Sequence, residues 1–479
     1  MKRTPFLTVL TILFSHLLSG QILLPSFFSD KMVLQQQSEV KIWGKAQPNK
    51  KLTITTSWDK IKYTVIVNND STWYLKIKTP KAGYIPQSIH LKQDKYSKSI
   101  DKILIGEVWL CSGQSNMQMP MQGYNSQPVA DGLDAIMSSD NDAVRCFTVK
   151  MSYSLQQQSD VSGKWESASP FTTPTFTAAG YYFARRLEKT LKVPVGIINS
   201  SYGGTAIEVW LSKDIAKTFG FMNTVTKESE IVNPKREPSV MYNAMISPLI
   251  GYGMRGALWY QGEGSRLDYK KYPAYFSALH KDWEQRWGIG EFPIYTVQIA
   301  PYKYGDGKGV LMREVQEQIA ETQPRTGIVI LTDVGEKNII HPANKEVVGD
   351  RLAYLALGKT YFPMQKDFNK TYFYYQSPVY QKIEVKDSIA ILYFKYATRG
   401  LTSFGQSTEG LFEIAGEDRK FYPATATFPL NQRNVIEVMA HEVKKPVAVR
   451  YAFKDFVSGT VFSNQGFPLS SFRTDNWDL

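Results

Sequence analysis

The sequence is poor in cysteine, and this excludes a scaffold held together by disulfides. Only Cys111 and Cys146 occur among its 479 residues. An exported protein can pair two such thiols, although the position of Cys111 at the end of an apolar stretch favours two buried thiols. The sequence also lacks a His-Glu-x-x-His motif and cysteine pairs at zinc-binding spacing. We therefore expect the chain to work without a metal or any other cofactor.

Clusters of one charge are missing as well. The formal net charge is +12, but the basic residues are scattered, and no stripe of lysine and arginine indicates nucleic-acid binding. A dispersed basic surface modestly favours anionic glycans as partners. Internal repeats and low-complexity linkers are absent, and no segment beyond residue 20 is apolar for long enough to span a membrane.

The first twenty residues differ from the rest of the chain. Lys2 and Arg3 precede an apolar run over residues 6–18, which is the pattern of a secretory signal peptide. The run is short for a membrane span, so a membrane anchor or a buried helix explains it less well. We predict that residues 1–20 are removed and that the mature protein is periplasmic or secreted, with no membrane attachment. The sequence leaves the oligomeric state open.

Hydrophobic periodicity divides the mature chain into three parts, as its length suggests. Short alternating strands over residues 21–101 predict a small β-sandwich. Over residues 102–365 strands alternate with helices, which predicts an α/β domain with a mostly parallel sheet and helices on both faces. Residues 366–479 predict a second β domain, which can pack against the first. The predicted strands are 40–43, 52–55, 63–67, 73–77, 103–110, 193–199, 293–299, 327–332, 382–385, 389–394, 434–438 and 448–452, and the predicted helices lie over 179–187, 272–287, 311–319 and 342–357.

The turn after the predicted strand 103–110 carries the candidate nucleophile. It reads Gly-Gln-Ser-Asn-Met over residues 113–117, and an open α/β sheet places its reactive groups at this end of its strands. An isolated Gly-x-Ser is usually an ordinary turn, but here Gly113 permits a sharp bend that exposes the serine hydroxyl. We therefore predict that Ser115 is a nucleophile.

A serine nucleophile needs a base, normally histidine, and His341 is the best candidate. It lies between the predicted strand 327–332 and a predicted helix whose first turn contains Pro342, in a loop at the same sheet edge as Ser115. The other four histidines are less suited: His16 is in the signal segment, His90 and His441 are in the β domains, and His280 lies within a helix.

Two more loops offer hydrogen-bond donors for an oxyanion. Residues 199–205 contain a Gly-Gly pair with unhindered backbone N–H groups, and residues 259–263 contain a glutamine with a side-chain amide. Each loop follows an apolar stretch, and the order along the chain is Ser, Gly, Gln, His. The residues expected to bind the oxyanion are Ser115 and Gly204 through their backbone and Gln261 through its side chain, and Gln114 and Glu263 are further candidates for binding the oxyanion or the substrate.

These ordered motifs resemble those of SGNH hydrolases, in which Ser, Gly, Asn and His head four sequence blocks. The closer resemblance is to the sialate O-acetylesterase and carbohydrate acetylesterase branch, where the first block reads Gly-Gln-Ser-Asn-Met and Gln-Gly-Glu replaces the Asn block. The resembling segments are residues 28–35, 106–117, 259–263, 341–342, 412–416 and 472–475. The resemblance implies a three-layer, flavodoxin-like SGNH domain flanked by N- and C-terminal β-sandwich-like domains.

The chain departs from the superfamily at one catalytic position. An acid usually stands three residues before the histidine, where this chain has Asn338. The sequence leaves three interpretations. Asn338 can orient His341 through its carbonyl oxygen at a reduced rate; Asp333, Glu336 or Glu263 can reach the imidazole instead; or the enzyme works as a Ser-His dyad or is impaired. We include Asn338 among the catalytic residues and expect an active enzyme, because the other motifs are intact.

The resemblance implies an exported serine esterase that removes O-acetyl groups from sialic acids or related glycans. In that mechanism His341 accepts the proton of Ser115, whose oxygen attacks the acetyl carbonyl; the sugar hydroxyl leaves, and water then releases acetate. Two alternatives remain: a deacetylase of acetylxylan-type polysaccharides, and a catalytically impaired glycan-binding protein.

Overall fold

The computed structural model describes residues 21–362 and 375–478. The predicted signal peptide, residues 1–20, lies outside the described residues. All of the strands predicted for the N-terminal part are confirmed. The strands of this part are β1 (Val33–Gln35), β2 (Glu39–Lys45), β3 (Lys51–Thr56), β4 (Lys62–Ile66), β5 (Thr72–Lys78), β6 (Gly83–Gln93) and β7 (Tyr96–Gly113). β2 pairs with β5, and a separate sheet contains β3, β4, β6 and β7.

Strand β7 joins the N-terminal part to the central part. Near its start it pairs antiparallel with β6, and residues 107–113 pair in parallel with strands of the central sheet. The predicted boundary between residues 101 and 102 therefore falls inside one continuous strand. Most side chains up to Lys102 are exposed, whereas every residue from Ile103 onwards is buried. This is the pattern of a strand that enters a sheet covered on both faces.

The central sheet is mostly parallel, as predicted. Its further strands are β8 (Asn141–Thr148), β9 (Trp165–Ala168), β10 (Val195–Ser201), β11 (Gly256–Tyr260), β12 (Ile294–Val297) and β13 (Thr326–Val329). The strand order is β13-β12-β11-β7-β10-β8-β9, and only the β8–β9 pair of this series is antiparallel. Strand β7, which leads to Ser115, therefore lies in the middle of the sheet.

Helices connect these strands. They are α1 (Ser115–Gln118), α2 (Gly132–Met137), α3 (Ala178–Leu191), α4 (Lys213–Thr218), α5 (Tyr272–Trp287), α6 (Lys308–Thr322) and α7 (Lys345–Ala356). The prediction that the last helix includes Pro342 in its first turn is wrong. The helix begins at Lys345, because the Asn344 side chain accepts a hydrogen bond from the Val347 N–H at 3.1 Å and caps it. Within residues 21–362 and 375–478 no helix is long and apolar enough to cross a membrane.

Successive residues of the central strands contribute to two different hydrophobic cores. Leu110 and Ile198 belong to a core that includes residues of α5 and α6. Their neighbours Trp109 and Ile197 belong to a core that includes residues of α3 and α7. Because side chains alternate between the faces of a strand, helices cover both faces and leave the strand ends for the polar loops. Both cysteines are buried and unpaired.

The C-terminal part is a β region that packs against helix α6. Its strands are β14 (Val379–Lys386), β15 (Ile389–Lys395), β16 (Leu401–Thr402), β17 (Phe412–Ala415), β18 (Phe421–Thr427), β19 (Val435–Met439), β20 (Ala448–Tyr451), β21 (Phe462–Ser463) and β22 (Phe472–Arg473). An antiparallel sheet has the order β14-β15-β19-β18-β17-β20-β22. Arg313 of α6 donates to the carbonyl oxygens of Lys454 at 2.5 Å and Asp455 at 3.2 Å. This contact shows that the C-terminal part packs on the central part; the prediction had allowed the N-terminal part instead.

Candidate active site

An open cavity of about 590 Å³ lies beside the turn that follows β7. Five of the predicted site residues line it: Gln114, Ser115, Gly204, Glu263 and His341. They come from three loops after β7, β10 and β11 and from the segment before α7. The carboxyl ends of parallel strands meet at one edge of a sheet, which explains why residues so distant in sequence share one cavity.

Close backbone packing fixes the position of Ser115. Gly113 has φ of 128°, and a Cβ at this position would overlap the carbonyl oxygen of Tyr260 at the end of β11. On the other side, a Cβ on Gly203 would lie 2.9 Å from Gln118 Oε1 and 3.3 Å from the Ser115 Cβ. Glycine at these two positions lets neighbouring loops approach the serine turn closely.

The structure shows which group orients the imidazole of His341. Its Nδ1 lies 2.6 Å from Oε1 of Gln127, in the loop after α1. An amide oxygen only accepts hydrogen bonds, so this contact assigns the proton to Nδ1 and leaves the lone pair on Nε2. The ring of Tyr124 packs edge-on against the imidazole with 5.1 Å between ring centroids. His341 is therefore held in the tautomer that a general base requires.

No hydrogen bond joins Ser115 to His341 within the described part of the chain, although both line the cavity. Catalytic hydrogen bonds often shorten only when substrate is bound. The Tyr124 hydroxyl donates to the backbone carbonyl of Ser115 at 3.0 Å. Because Tyr124 touches both residues, it ties the serine turn to the imidazole.

The environment of His341 disfavours the charged imidazolium. Burial, and then the positive charge of Lys345, lower the pKa of His341 from 6.5 to about 4. Gln127 is neutral, so it orients the ring without offsetting these two effects. The imidazole is therefore ready to accept a proton over most of the physiological pH range.

Asn338 does not occupy the position expected from the sequence. Its side chain is exposed, and the partner of His341 Nδ1 is Gln127 instead. Asn338 lies in a segment without regular secondary structure, so a spacing of three residues does not bring its side chain back to the imidazole. No sequence pattern marks Gln127, which is 214 positions from His341.

The alternative acids are also bound elsewhere. Asp333 forms two hydrogen bonds with Arg351, at 2.8 and 2.6 Å. Glu336 accepts the backbone N–H of Ala343 at 2.9 Å. Glu263 lines the cavity, but its Oε1 accepts a hydrogen bond from Asn116 at 2.6 Å. Within the described residues, none of these carboxylates is hydrogen-bonded to His341.

The prediction that the Gln261 side chain binds the oxyanion is wrong. Gln261 is fully buried, and it does not line the cavity. Its Nε2 donates to Thr205 O at 3.1 Å, Ser265 Oγ at 3.0 Å and Gln114 Oε1 at 3.2 Å. These bonds hold the loops after β10 and β11 together, which is a structural role.

Gln114 offers the side-chain amide that Gln261 does not. Its Oε1 accepts the backbone N–H groups of Gly264 at 3.0 Å and Gly262 at 3.3 Å, which fixes the orientation of the amide. Its Nε2 forms no hydrogen bond within the described chain, and Gln114 lines the cavity. The backbone N–H groups of Ser115 and Gly204 are likewise not bonded to other described residues. These three donors are available to a ligand.

A cation that the sequence analysis did not single out lies at the rim of the cavity. The Lys235 Nζ is 3.3 Å from the position that a Cβ on Gly204 would take. Its side chain is exposed, and it forms no ion pair among the residues described. Lysines are scattered along this sequence, so only the fold reveals that this one faces the cavity beside Ser115.

Comparisons with known proteins show which family the chain is similar to. A family model described as carbohydrate esterase, sialic acid-specific acetylesterase, matches residues 105–357. The chain is 29% identical to sialate O-acetylesterase from Mus musculus, over 89% of this chain and 88% of the relative. It is 28% identical to sialate O-acetylesterase from Homo sapiens, over 78% of this chain and 76% of the relative.

A solved structure is also similar over almost the whole chain. It is the crystal structure of a novel carbohydrate acetylesterase from Xanthomonas citri, with a TM-score of 0.84 and 31% sequence identity. The match covers 95% of this chain and 100% of the other. The similarity therefore includes both β regions as well as the sheet that carries the cavity.

Proposed function

The chain belongs to the carbohydrate esterase family of sialic acid-specific acetylesterases, and we propose that it removes O-acetyl groups from sialic acids through a covalent acetyl-enzyme. It is a carboxylic ester hydrolase. One observation carries the mechanistic proposal. A single cavity contains a serine hydroxyl, an imidazole with an unprotonated Nε2 and hydrogen-bond donors that have no partner in the described chain.

In the first half of the reaction, His341 Nε2 accepts the proton of the Ser115 hydroxyl while Oγ attacks the acetyl carbonyl carbon. The N–H groups of Ser115 and Gly204, together with Gln114 Nε2, stabilise the oxyanion that forms. The imidazolium then gives its proton to the departing sugar oxygen as the C–O bond breaks. The products are the free sugar hydroxyl and Ser115 carrying an acetyl ester.

In the second half, His341 removes a proton from water, and the hydroxide oxygen attacks the acetyl carbon. The same donors stabilise the second oxyanion. Proton return from the imidazolium to Ser115 Oγ releases acetate and restores the enzyme. Gln127 keeps the Nδ1 proton in place throughout, so Nε2 remains the atom that exchanges protons with the reactants.

Lys235 supports an anionic sugar as the substrate. Sialic acids carry a carboxylate, and the ammonium group of Lys235 at the cavity rim, which forms no ion pair with another described residue, can bind it. Xylan-type polysaccharides have a neutral backbone and would gain no ion pair from Lys235. The cation therefore favours acetylated sialic acid over acetylxylan.

The finer architecture and the location of the protein are part of the same proposal. Helices α3 and α7 share one core with the central sheet, and α5 and α6 share the other, which supports a three-layer SGNH-type domain. The pattern of residues 1–20 supports export to the periplasm or the medium.

The decisive experiment measures acetate release from O-acetylated sialic acid, acetylxylan and a chromogenic acetate. We expect activity on the sialic acid to fall at least about 1,000-fold in Ser115→Ala. A wild-type rate no faster than that of Ser115→Ala on every substrate would reject the esterase mechanism and favour the impaired glycan-binding protein.

Lys235→Ala tests the choice of substrate in the same assay. We expect kcat/KM to fall about tenfold for acetylated sialic acid and to stay unchanged for the chromogenic acetate, which has no carboxylate for the lysine to bind. The exposed Lys189, on helix α3, provides the matched control Lys189→Ala. Equal losses on both substrates, or faster hydrolysis of acetylxylan by the wild type, would contradict a carboxylate subsite at Lys235.

A further inference from the structure

Three side chains that the proposed mechanism does not use form a buried network behind the cavity. Asn116 and Lys345 are 0% exposed, and Glu263 is 5% exposed. Asn116 directly follows the nucleophile, Glu263 belongs to the loop after β11, and Lys345 begins helix α7 four residues after His341. The network therefore joins three of the chain segments that build the site.

Asn116 is the centre of this network. Its Oδ1 accepts a hydrogen bond from Lys345 Nζ at 2.5 Å. Its Nδ2 donates to Glu263 Oε1 at 2.6 Å and to the backbone carbonyl of Ile340 at 3.1 Å. The amide thus presents its acceptor to the cation and a donor to one oxygen of the anion, while Glu263 Oε2 is buried without a hydrogen-bond partner among the described residues. Ile340 immediately precedes His341, so the same amide connects the serine turn to the base.

A buried ammonium group is unfavourable unless other groups compensate for it, and an apolar residue could fill the same space. Glu263 and Glu336 face Lys345 as anions, and the Tyr260 ring centroid lies 5.5 Å from its Nζ. Burial nevertheless lowers the pKa of Lys345 to about 7, against the opposing effect of these carboxylates. Burial also raises the pKa of Glu263. An ionisable lysine is thus retained in a place where its positive charge is unfavourable.

The same charge acts on the base. The lysine is the charged group that, after burial, lowers the pKa of His341, and Gln127 supplies no anion to oppose it. A cation close to a neutral imidazole keeps that imidazole unprotonated in acid. The lysine therefore affects both where the base lies and over which pH range it works.

We infer that Lys345 is a positioning residue for the esterase reaction: through Asn116 and Glu263 it holds the serine turn against the His341 loop, and its charge extends activity into the acidic range. This inference rests on the proposed roles of Ser115 and His341. A purely structural lysine would stabilise the fold without moving the pH profile, so the two interpretations differ in a measurable quantity.

The test is the pH dependence of kcat/KM on a chromogenic acetate for the full chain carrying Lys345→Met. We expect kcat to fall about tenfold or more with KM little changed, because the geometry of the site loosens. We also expect the acidic limb of the profile to move upward by about one pH unit, because the imidazole loses a neighbouring positive charge. The fold is checked by circular dichroism.

Lys359→Met is the matched control. Burial lowers the pKa of Lys359 as it does that of Lys345, although Lys359 is only partly buried. Lys359 donates to the carbonyl of Thr326, at the opposite end of β13 from the cavity. We expect the acidic limb of the pH profile of Lys359→Met to coincide with that of the wild type. If the acidic limb of Lys359→Met shifts as far as that of Lys345→Met, the shift reflects a general loss of stability, and the inference is overturned.

Glu263→Gln decides the matter if Lys345→Met does not fold. This change keeps an oxygen to accept from Asn116 but removes the negative charge that opposes Lys345, so the acidic limb should move to lower pH. A limb that stays in place or moves to higher pH would overturn the inference. The role of Lys345 and the esterase mechanism can fail separately. If Ser115→Ala abolishes the wild-type activity but folded Lys345→Met shows no shift of the acidic limb, only the role of Lys345 is rejected. The esterase mechanism would then still hold.

Discussion

Among the described residues, Lys345 and Arg313 are two fully buried cations in different settings, the edge of the cavity and the junction with the C-terminal β region. Lys345 at the edge of the cavity donates to the side-chain amide of Asn116, next to the proposed nucleophile Ser115. Arg313 in helix α6 donates to the backbone carbonyl oxygens of Lys454 and Asp455. Both are 0% exposed, but their chemistry differs.

Burial lowers the pKa of Arg313 to about 10 and that of Lys345 to about 7. The arginine therefore stays charged at neutral pH, and its planar group holds carbonyl oxygens from a second segment of the chain. The lysine loses its proton more readily and acts on a titrating imidazole. A buried arginine keeps its charge and can hold two parts of the chain together at any ordinary pH. A buried lysine can change its protonation state and so alter the charge near a catalytic group.

Among the variants that test this comparison, Arg313→Met is expected to have the largest effect, a loss of stability. The substitution leaves the carbonyl oxygens of Lys454 and Asp455 without their donor, and we expect the free energy of unfolding to fall by about 3 kcal/mol. Thermal unfolding followed by circular dichroism measures the change, and Arg433→Met, at an exposed arginine, is the control. kcat at a temperature where the variant is folded should be unchanged. A loss of kcat with normal stability would mean that the junction acts on the active site.

The next effect concerns the partner of the base. Gln127→Ala removes the acceptor of the His341 Nδ1 proton, and we expect kcat to fall about 100-fold while the thermal midpoint stays the same. Gln122→Ala, at an exposed position of the same loop, should leave kcat intact. Full activity in Gln127→Ala would show that the tautomer is maintained without this contact.

Gln127→Glu tests the same contact with His341 by placing a carboxylate beside the imidazole. The negative charge stabilises the imidazolium, so the pKa of His341 should rise from about 4. The acidic limb of kcat/KM should then move to higher pH, in the same direction as in Lys345→Met. If the acidic limb does not move, it reflects the titration of a group other than His341.

The last comparison concerns the pH dependence of stability in the two regions. At the C-terminal junction, burial raises the pKa of Glu317, which accepts from Ser470 Oγ at 2.5 Å, to about 8 from 4.5. The folded state therefore binds more protons than the unfolded state between pH 4.5 and 8, and this contribution to stability is lost as the pH rises through that window.

At the active site the sign is reversed. The pKa of His341 is about 4 in the folded protein, below the ordinary histidine value of 6.5, so the unfolded chain binds more protons and stability falls as the pH falls from 6.5 to 4. We expect Glu317→Gln to gain thermal stability relative to the wild type as the pH rises from 4.5 to 8. Melting curves across this range measure the difference; a constant difference would contradict the raised pKa of Glu317.

Much of the architecture followed from local patterns. The alternation around Leu52 and Trp73 predicted strands that the structure contains, and the spacing of Ala179, Phe183 and Leu187 predicted helix α3. These predictions succeeded because a strand or a helix buries one face. The spacing of its hydrophobic residues along the chain therefore shows which of the two it forms. The start of α7 was missed, since a capping side chain at Asn344 decides it and not the proline two residues earlier.

The amides of the site were the hardest to predict. Gln114 and Gln261 both stand in loops after strands, yet one lines the cavity and the other is fully buried between loops. Asn338 was expected at the imidazole, and Gln127 is there instead. An amide side chain can serve a structural or a catalytic role equally well, and nothing in the neighbouring residues distinguishes the two.

The sequence by itself determined the candidate reacting groups and their order: a serine after a buried strand, a Gly-Gly loop and a histidine before a helix. It did so because periodicity and motif spacing are local properties of the chain. Only the tertiary structure decided which amide orients the base, which amide faces the cavity, and that Lys345 stands behind Ser115. Each of these contacts joins residues more than a hundred positions apart, and a hydrogen bond or a Coulomb interaction depends on distance in space and not on distance along the chain.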